Sequence, residues 1–231
     1  ARDIPGEDRW GPVAHTEPLL ARDRVHCVGQ ALALVVADDE ATAKRAAAAV
    51  VFDIATEEPI LTIDDAIAAS AFHTAPHVIA RGDLKKALTE AATIIKAEVR
   101  SPGQDHFYLE TQAALVIPEE DGTFLVRSST QHPTEIQNVV AHTLGISASR
   151  VVCEVPRVGG GFGGKESQAS PYAAFAALAA AQTGRPCRCW LHRNQDMAWT
   201  GNRHPFLSRY RVGFDEAGRI LGVEAKLWSD G

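Results

Sequence analysis

The sequence has 231 residues, is 45% hydrophobic and 23% charged, carries a formal net charge of −6 and holds Gly 18 and Pro 12. These values describe an ordinary globular chain of one or two domains and exclude collagenous, low-complexity and disordered classes. No apolar run approaches the roughly 20 residues of a bilayer-spanning helix, no signal segment opens the chain, and no long Lys/Arg cluster offers a nucleic-acid surface.

The first stretch reads strand, helix, strand. Residues 31–36 are an apolar run, Asp38 or Asp39 is a helix cap, 40–50 is the helix and 51–54 returns as a strand, so 25–61 is expected to form a βαβ unit. Two helical turns follow near 64–69. The pattern then dissolves between Phe72 and Gly82, where a domain boundary is expected, and Asp83 caps a helix over 84–91.

From residue 92 a second, larger α/β unit is expected. A strand at 93–99 precedes a hairpin of 113–117 with 123–129, then a helix with Pro133 near its start and Gly145 at its end. A strand at 150–155, a glycine-rich loop, an Ala-rich helix over 171–183 stopped by Gly184, and a strand at 187–192 come next. A hairpin of 207–214 with 220–228 closes the sequence. Alternating strands and helices imply right-handed crossovers, so the strands at 123–129, 150–155 and 187–192 are expected to lie parallel. The loops that follow them, at 130–132, from Gly159, and at 193–204, would then share one sheet edge, where open α/β sheets bind ligands.

Several motifs carry more than one reading. Gly159-Gly160-Gly161-Phe162-Gly163-Gly164-Lys165-Glu166 holds five glycines between a strand and a helix and nearly satisfies the phosphate-loop pattern. Glu166 replaces the magnesium-binding hydroxyl of that pattern and would repel phosphate. Alone, Glu166 reads equally as a charge near a helix N-terminus, and Gln131 as a loop residue bonded to nearby backbone. Cys187, Cys189 and His192 make a C-x-C-x-x-H guess, against which both cysteines share one apolar strand face and read as inert core thiols. His106-Phe107-Tyr108-Leu109-Glu110 and Arg203-His204-Pro205 suit a structural corner as well as a site. Cys27, Cys153, Cys187 and Cys189 form no C-x-x-C pair, so a reducing cytoplasm is the expected compartment, with no membrane or nucleic-acid partner. The chain starts at Ala1 and its single methionine is Met197, so a fragment of a longer protein is expected, with apolar surface exposed where the remainder would pack.

One family accounts for these motifs together. Arg2-Asp3-Ile4-Pro5-Gly6, Val28-Gly29-Gln30, His106-Phe107-Tyr108-Leu109-Glu110-Thr111, Ser129-Thr130-Gln131, 159–166, Thr183-Gly184-Arg185-Pro186 and Arg203-His204-Pro205-Phe206 stand in the order of that family's signatures. Over nearly its whole length the chain resembles the molybdenum-cofactor-binding part of the xanthine dehydrogenase family of molybdenum hydroxylases. The resemblance implies an α/β (α+β) fold, with an α/β hammerhead-like domain at 1–80 followed by the start of the first molybdenum-cofactor-binding domain at 81–231.

It further implies that Gln131 hydrogen-bonds the apical oxo ligand of molybdenum and that Gly161, Phe162 and Gly163 bring backbone amide to the same centre. The metal is held by the pterin (molybdopterin), so no side chain ligates it. Glu166 is implied to bind and orient a purine and to act catalytically on it; the similar aldehyde oxidases generally carry an apolar residue there. The implied reaction is hydroxylation of hypoxanthine to xanthine to urate, with water as the oxygen source and electrons leaving through 2Fe-2S and FAD on other domains or subunits. The family's general base, substrate arginine and purine-stacking aromatic are expected beyond residue 231, so the isolated chain is expected to be inactive and the full assembly oligomeric. Two alternatives stay open: a related enzyme acting on another N-heterocycle or an aldehyde, and a non-catalytic nucleotide-binding module.

Overall fold

The computed structural model describes residues 3–12 and 15–231; Arg2, the first residue of the opening motif, lies outside them. The chain divides into two units. One takes the described residues up to Phe52 together with Asp105–Asn202, and the other takes Asp53–Gln104 with Arg203–Gly231.

The first unit is built on a mixed sheet. Strand β4 (Ala113–Pro118) and β5 (Phe124–Ser128) form an antiparallel hairpin, turned where the Asp121 carboxylate accepts from the Thr123 N–H at 2.9 Å. Strand β6 (Val151–Glu154) adds parallel to β5, and β7 (Cys187–Trp190) adds antiparallel to β4, giving the order β6-β5-β4-β7. Thus β5, β6 and β7 run the same way, as the sequence implies, but β4 is inserted against them and only β5 and β6 pair in parallel. Crossover handedness sets the direction of a strand, whereas which neighbour it pairs with is a tertiary matter.

Helices α4 (Pro133–Leu144) and α5 (Ser170–Thr183) are the crossovers, each stopped by a glycine in left-handed backbone, Gly145 and Gly184. Ile136, Val140, Ala173 and Ala177 pack with Val116, Val126 and Val151 in one core cluster. On α5 the alanines let helix and sheet approach closely, while Tyr172 and Phe175 reach a second cluster with Trp10, Leu19 and Leu20. A short ribbon of β1 (Arg9–Trp10) with β2 (Glu17–Pro18) carries those N-terminal residues.

The βαβ unit expected at 25–61 does not form. Its helix is present as α1 (Glu40–Ala48), capped by the Asp39 carboxylate accepting from the Thr42 N–H at 2.8 Å. Neither 31–36 nor 51–54 joins a ladder, and Val51 is 91% exposed. Apolar β-branched composition marks a segment able to pair, but a strand exists only where a neighbour accepts its backbone hydrogen bonds.

The second unit is an antiparallel sheet in the order β3-β8-β9, from β3 (Thr93–Ser101), β8 (Phe206–Phe214) and β9 (Ile220–Ser229). The hairpin turn is held by Asp215, whose carboxylate accepts from the N–H groups of Ala217 and Arg219 at 2.9 and 2.8 Å. Helix α3 (Leu84–Glu90) lies on this sheet over paired glycines. A Cβ on Gly213 would stand 2.9 Å from Ala91 Cβ, and one on its cross-strand partner Gly222 2.9 Å from Ala87 Cβ, so both positions exclude side chains. Helix α2 (Ile63–Ala68) precedes it, where two turns were expected. Among the described residues no helix is long and apolar enough to cross a membrane.

Candidate functional site

Within the first unit, the loops leaving β5 and β6 and the segment entering β4 converge at one edge of the sheet. The loop after β5 is Thr130-Gln131-His132, and it is stitched to the glycine loop along its length. Gln131 N–H donates to the Lys165 carbonyl at 2.8 Å, and the Thr130 hydroxyl donates to the same carbonyl at 2.9 Å. In return, the Gln131 side-chain oxygen Oε1 accepts from the N–H groups of Gly163 at 2.9 Å and Lys165 at 3.3 Å. Two backbone donors select the oxygen, so the Nε2 amino group faces away, makes no hydrogen bond to the described residues and remains a donor for something else.

The glycines are imposed by contact. A Cβ on Gly161 would stand 2.3 Å from Gln131 Oε1, one on Gly159 2.4 Å from Glu110 Cβ, and one on Gly164 2.7 Å from the His106 ring. Between them Phe162 sits at φ 54, a left-handed conformation that costs a non-glycine residue about 1–3 kcal/mol, and its ring is 75% exposed. Backbone, not side chain, therefore faces Gln131 along this loop.

Beneath the loop lies a polar knot that sequence reading did not single out as a site. The Lys165 side chain is 0% exposed, and its ammonium donates to the Glu110 carbonyl at 2.6 Å and the Ser129 hydroxyl at 2.7 Å while standing 4.5 Å from the centre of the Tyr108 ring. The Ser129 hydroxyl in turn donates to Glu110 Oε2 at 2.7 Å, and that carboxylate also accepts from the Gly159 N–H at 2.7 Å. Partial burial alone would raise the Glu110 carboxyl, but the Gly159 N–H, the Ser129 hydroxyl and the Lys165 ammonium together hold it below the usual range. For Lys165 burial dominates and pulls its ammonium down, against the pull of Glu110. A lysine so engaged is not free to reach a phosphate, so the phosphate-loop reading of this glycine run fails on the residue that pattern needs most.

Further residues anchor the segment that enters β4. Gln112, fully buried, donates from Nε2 to the Gly164 carbonyl and the Tyr108 hydroxyl, each at 3.0 Å, and from its backbone N–H to buried Asp196 at 2.7 Å. Burial pushes the Tyr108 phenol up to about 12, against hydrogen bonds from Thr200 and Gln112. Asp196 lies on helix α6 (Arg193–Trp199), and Arg193 at its start donates from Nη2 to the carbonyls of Tyr108 and Leu109 at 2.5 and 2.7 Å. Nothing in the sequence flagged Gln112 or Asp196 beyond being polar residues beside apolar runs; Ser129 stood inside a motif without a role of its own, and Lys165 stood in register only with the phosphate-loop pattern.

Glu166 is exposed on the glycine loop, one residue beyond buried Lys165. The structure therefore brings Gln131, Gly161, Phe162 and Gly163 together, with Glu166 on the same loop. It does not make a metal site of Cys187, Cys189 and His192. Burial pushes the Cys189 thiol up to about 11, both cysteines pack against the apolar core, and His192 pairs with Glu40 at 2.6 Å. Arg203 belongs to the second unit, where its backbone bridges that of Gln104.

The residues fit the group that the resemblance implies. A glutamine Nε2 with no partner among the described residues, and a glycine at 161 where any Cβ would collide with Gln131 Oε1, suit a metal ligated by its own pterin.

Comparison with known proteins gives the family. Residues 70–231 match the molybdopterin cofactor-binding domain family, and residues 1–58 match the a/b hammerhead domain of aldehyde oxidase and xanthine dehydrogenase. The chain is 42% identical to xanthine dehydrogenase/oxidase of Felis catus over 231 residues, covering 100% of this chain and 17% of the relative. It is 45% identical to aldehyde oxidase 1 of Rattus norvegicus over 218 residues, covering 94% and 16%. Among solved structures it superimposes on the aldehyde oxidoreductase of Desulfovibrio desulfuricans with a TM-score of 0.86 at 26% identity, covering 99% of this chain and 27% of that one. Quinoline 2-oxidoreductase of Pseudomonas putida gives a TM-score of 0.83 at 24% identity, covering 99% and 30%, a likeness of fold. The chain thus spans about a sixth of the length of the curated relatives it matches.

Proposed function

The chain belongs to the aldehyde oxidase and xanthine dehydrogenase family and carries its molybdopterin cofactor-binding domain, and on that premise we propose that the enzyme it belongs to hydroxylates purines rather than aldehydes. Relatives of both names match at similar identity, so the distinction rests on the site. The observation that carries it is Glu166, an exposed carboxylate on the loop that also holds the Gln131 side chain. An aldehyde offers no N–H to such a group, whereas a purine ring does.

When bound, the molybdenum cofactor supplies two-electron oxidation with oxygen drawn from water. The protein's part is positioning and charge. Gln131 presents Nε2 as a fixed donor, because its oxygen is already held by two backbone N–H groups. The 159–164 backbone lets a ligand approach closely. Glu166 accepts from a ring N–H and stabilises the tautomer or charge that develops during attack, an interaction worth about 1.5–3 kcal/mol, or one to two decades in rate if realised in the transition state. In this reading the domains divide near residue 80, iron–sulfur and FAD parts of a cytoplasmic oligomer receive the electrons, and the isolated segment does not turn over.

The test is steady-state hydroxylation by the full-length enzyme carrying Glu166→Ala. We expect kcat/KM on hypoxanthine and xanthine to fall by about tenfold or more while turnover of an aromatic aldehyde holds or rises. Equal activity of wild type and variant on purines would overturn the assignment.

A further inference from the structure

Outside this site, ligand-type side chains of the first unit gather at the N-terminal ribbon and the end of α4. We propose that Glu7, His15 and His142 form a surface site for a divalent transition-metal ion, with zinc the best fit. Each offers one ligand atom, and the three atoms lie within 4.8 Å of one another. His15 Nδ1 stands 3.3 Å and His142 Nδ1 3.7 Å from the same oxygen, Glu7 Oε2. Bonds of about 2.0–2.2 Å in a tetrahedron place neighbouring ligand atoms roughly 3.3–3.6 Å apart, so two of the three edges are already close to zinc geometry. The third closes by turning exposed rings, whose centres are 5.9 Å apart and tilted by 46°.

The cluster is preorganised by backbone rather than gathered by chance rotamers. Glu7 N–H donates to the His142 carbonyl at 2.8 Å, and Gly6 N–H donates to the Thr143 carbonyl at 3.0 Å, fixing Glu7 beside the last turn of α4. Gly6 is required for this approach, because a Cβ there would overlap the His142 carbonyl oxygen. The β1–β2 pairing returns the chain so that His15 faces Glu7 from the other side. Two imidazoles and one carboxylate form a nitrogen-rich set that suits zinc, nickel or copper and disfavours calcium or magnesium, which take oxygen. All three side chains are half-exposed, between 43% and 52%, which leaves access for the ion and a fourth position for water. Bound metal would pin the N-terminal ribbon to α4.

The same distances suit a carboxylate paired with two imidazoles and no ion, and the experiment separates the two. Full-length protein is equilibrated by dialysis against zinc and its metal content counted by mass spectrometry, for wild type, Glu7→Gln and His142→Ala. We expect wild type to hold one more equivalent of zinc than either variant, and added zinc to raise the Tm of wild type alone. Cobalt in the same site should show the intense visible absorption of tetrahedral coordination, lost in both variants. Equal zinc content in all three proteins, or a cobalt spectrum indifferent to the substitutions, would overturn the site and leave a carboxylate–imidazole ion pair.

Discussion

Lys165 and Gln131 hold each other from both sides: Lys165 N–H donates to the Gln131 side chain at 3.3 Å, and Gln131 N–H donates to the Lys165 carbonyl at 2.8 Å. The buried ammonium of the same lysine is fastened to Glu110 and Ser129. Residues that would face the cofactor are thereby tied to a rigid polar knot beneath them, in keeping with sites built by preorganisation.

Removing the ammonium should loosen that knot. Lys165→Met leaves the Glu110 carboxylate and the Ser129 hydroxyl without a charged partner. Because Glu110 is partly solvated, we expect a loss of about 1.5–3 kcal/mol of stability, measured as a lowered urea midpoint at unchanged m. An unchanged midpoint would show that the knot contributes nothing.

Gly161→Ala should empty the site without unfolding the chain. The new Cβ would lie 2.3 Å from Gln131 Oε1, so the glutamine must leave its two backbone donors. Molybdenum content per enzyme, measured by mass spectrometry, is expected to drop sharply while the far-ultraviolet circular dichroism stays that of wild type. Full metal content in the variant would contradict the placing of the cofactor against this loop.

Acid should act partly through Glu110. Its folded pKa is depressed, so the stability it contributes is present above the unfolded value of about 4.3 and is lost as pH falls through the lower folded value. Glu110→Gln should therefore show a smaller fall in Tm than wild type between about pH 5 and pH 3. Parallel curves would mean the carboxylate is no better held when folded than when unfolded.

Magnesium–ATP is expected to leave the Tm unchanged. A phosphate cradle needs the lysine at its rim, and here that ammonium is buried beneath the loop. A concentration-dependent rise in Tm would revive the nucleotide-binding reading.

Much of the molecule was legible from the amino-acid order alone. Period, caps and turn residues set α4 between Pro133 and Gly145 and the hairpin around Asp215, because these are local matters of backbone preference. The shared direction of β5, β6 and β7 followed from crossover handedness, and with it the meeting of Gln131 and the glycine loop at one edge. Family resemblance implied roles for Gln131 and Glu166 that spacing does not carry. Only the tertiary structure decided that β4 would part β7 from β5, that 31–36 and 51–54 would find no strand partner, and that Lys165 would turn inward to Glu110 and Ser129 rather than outward to an anion. Those outcomes depend on which groups from distant parts of the chain satisfy one another's hydrogen bonds and charge once water is excluded, and such pairings leave no periodic trace in the sequence.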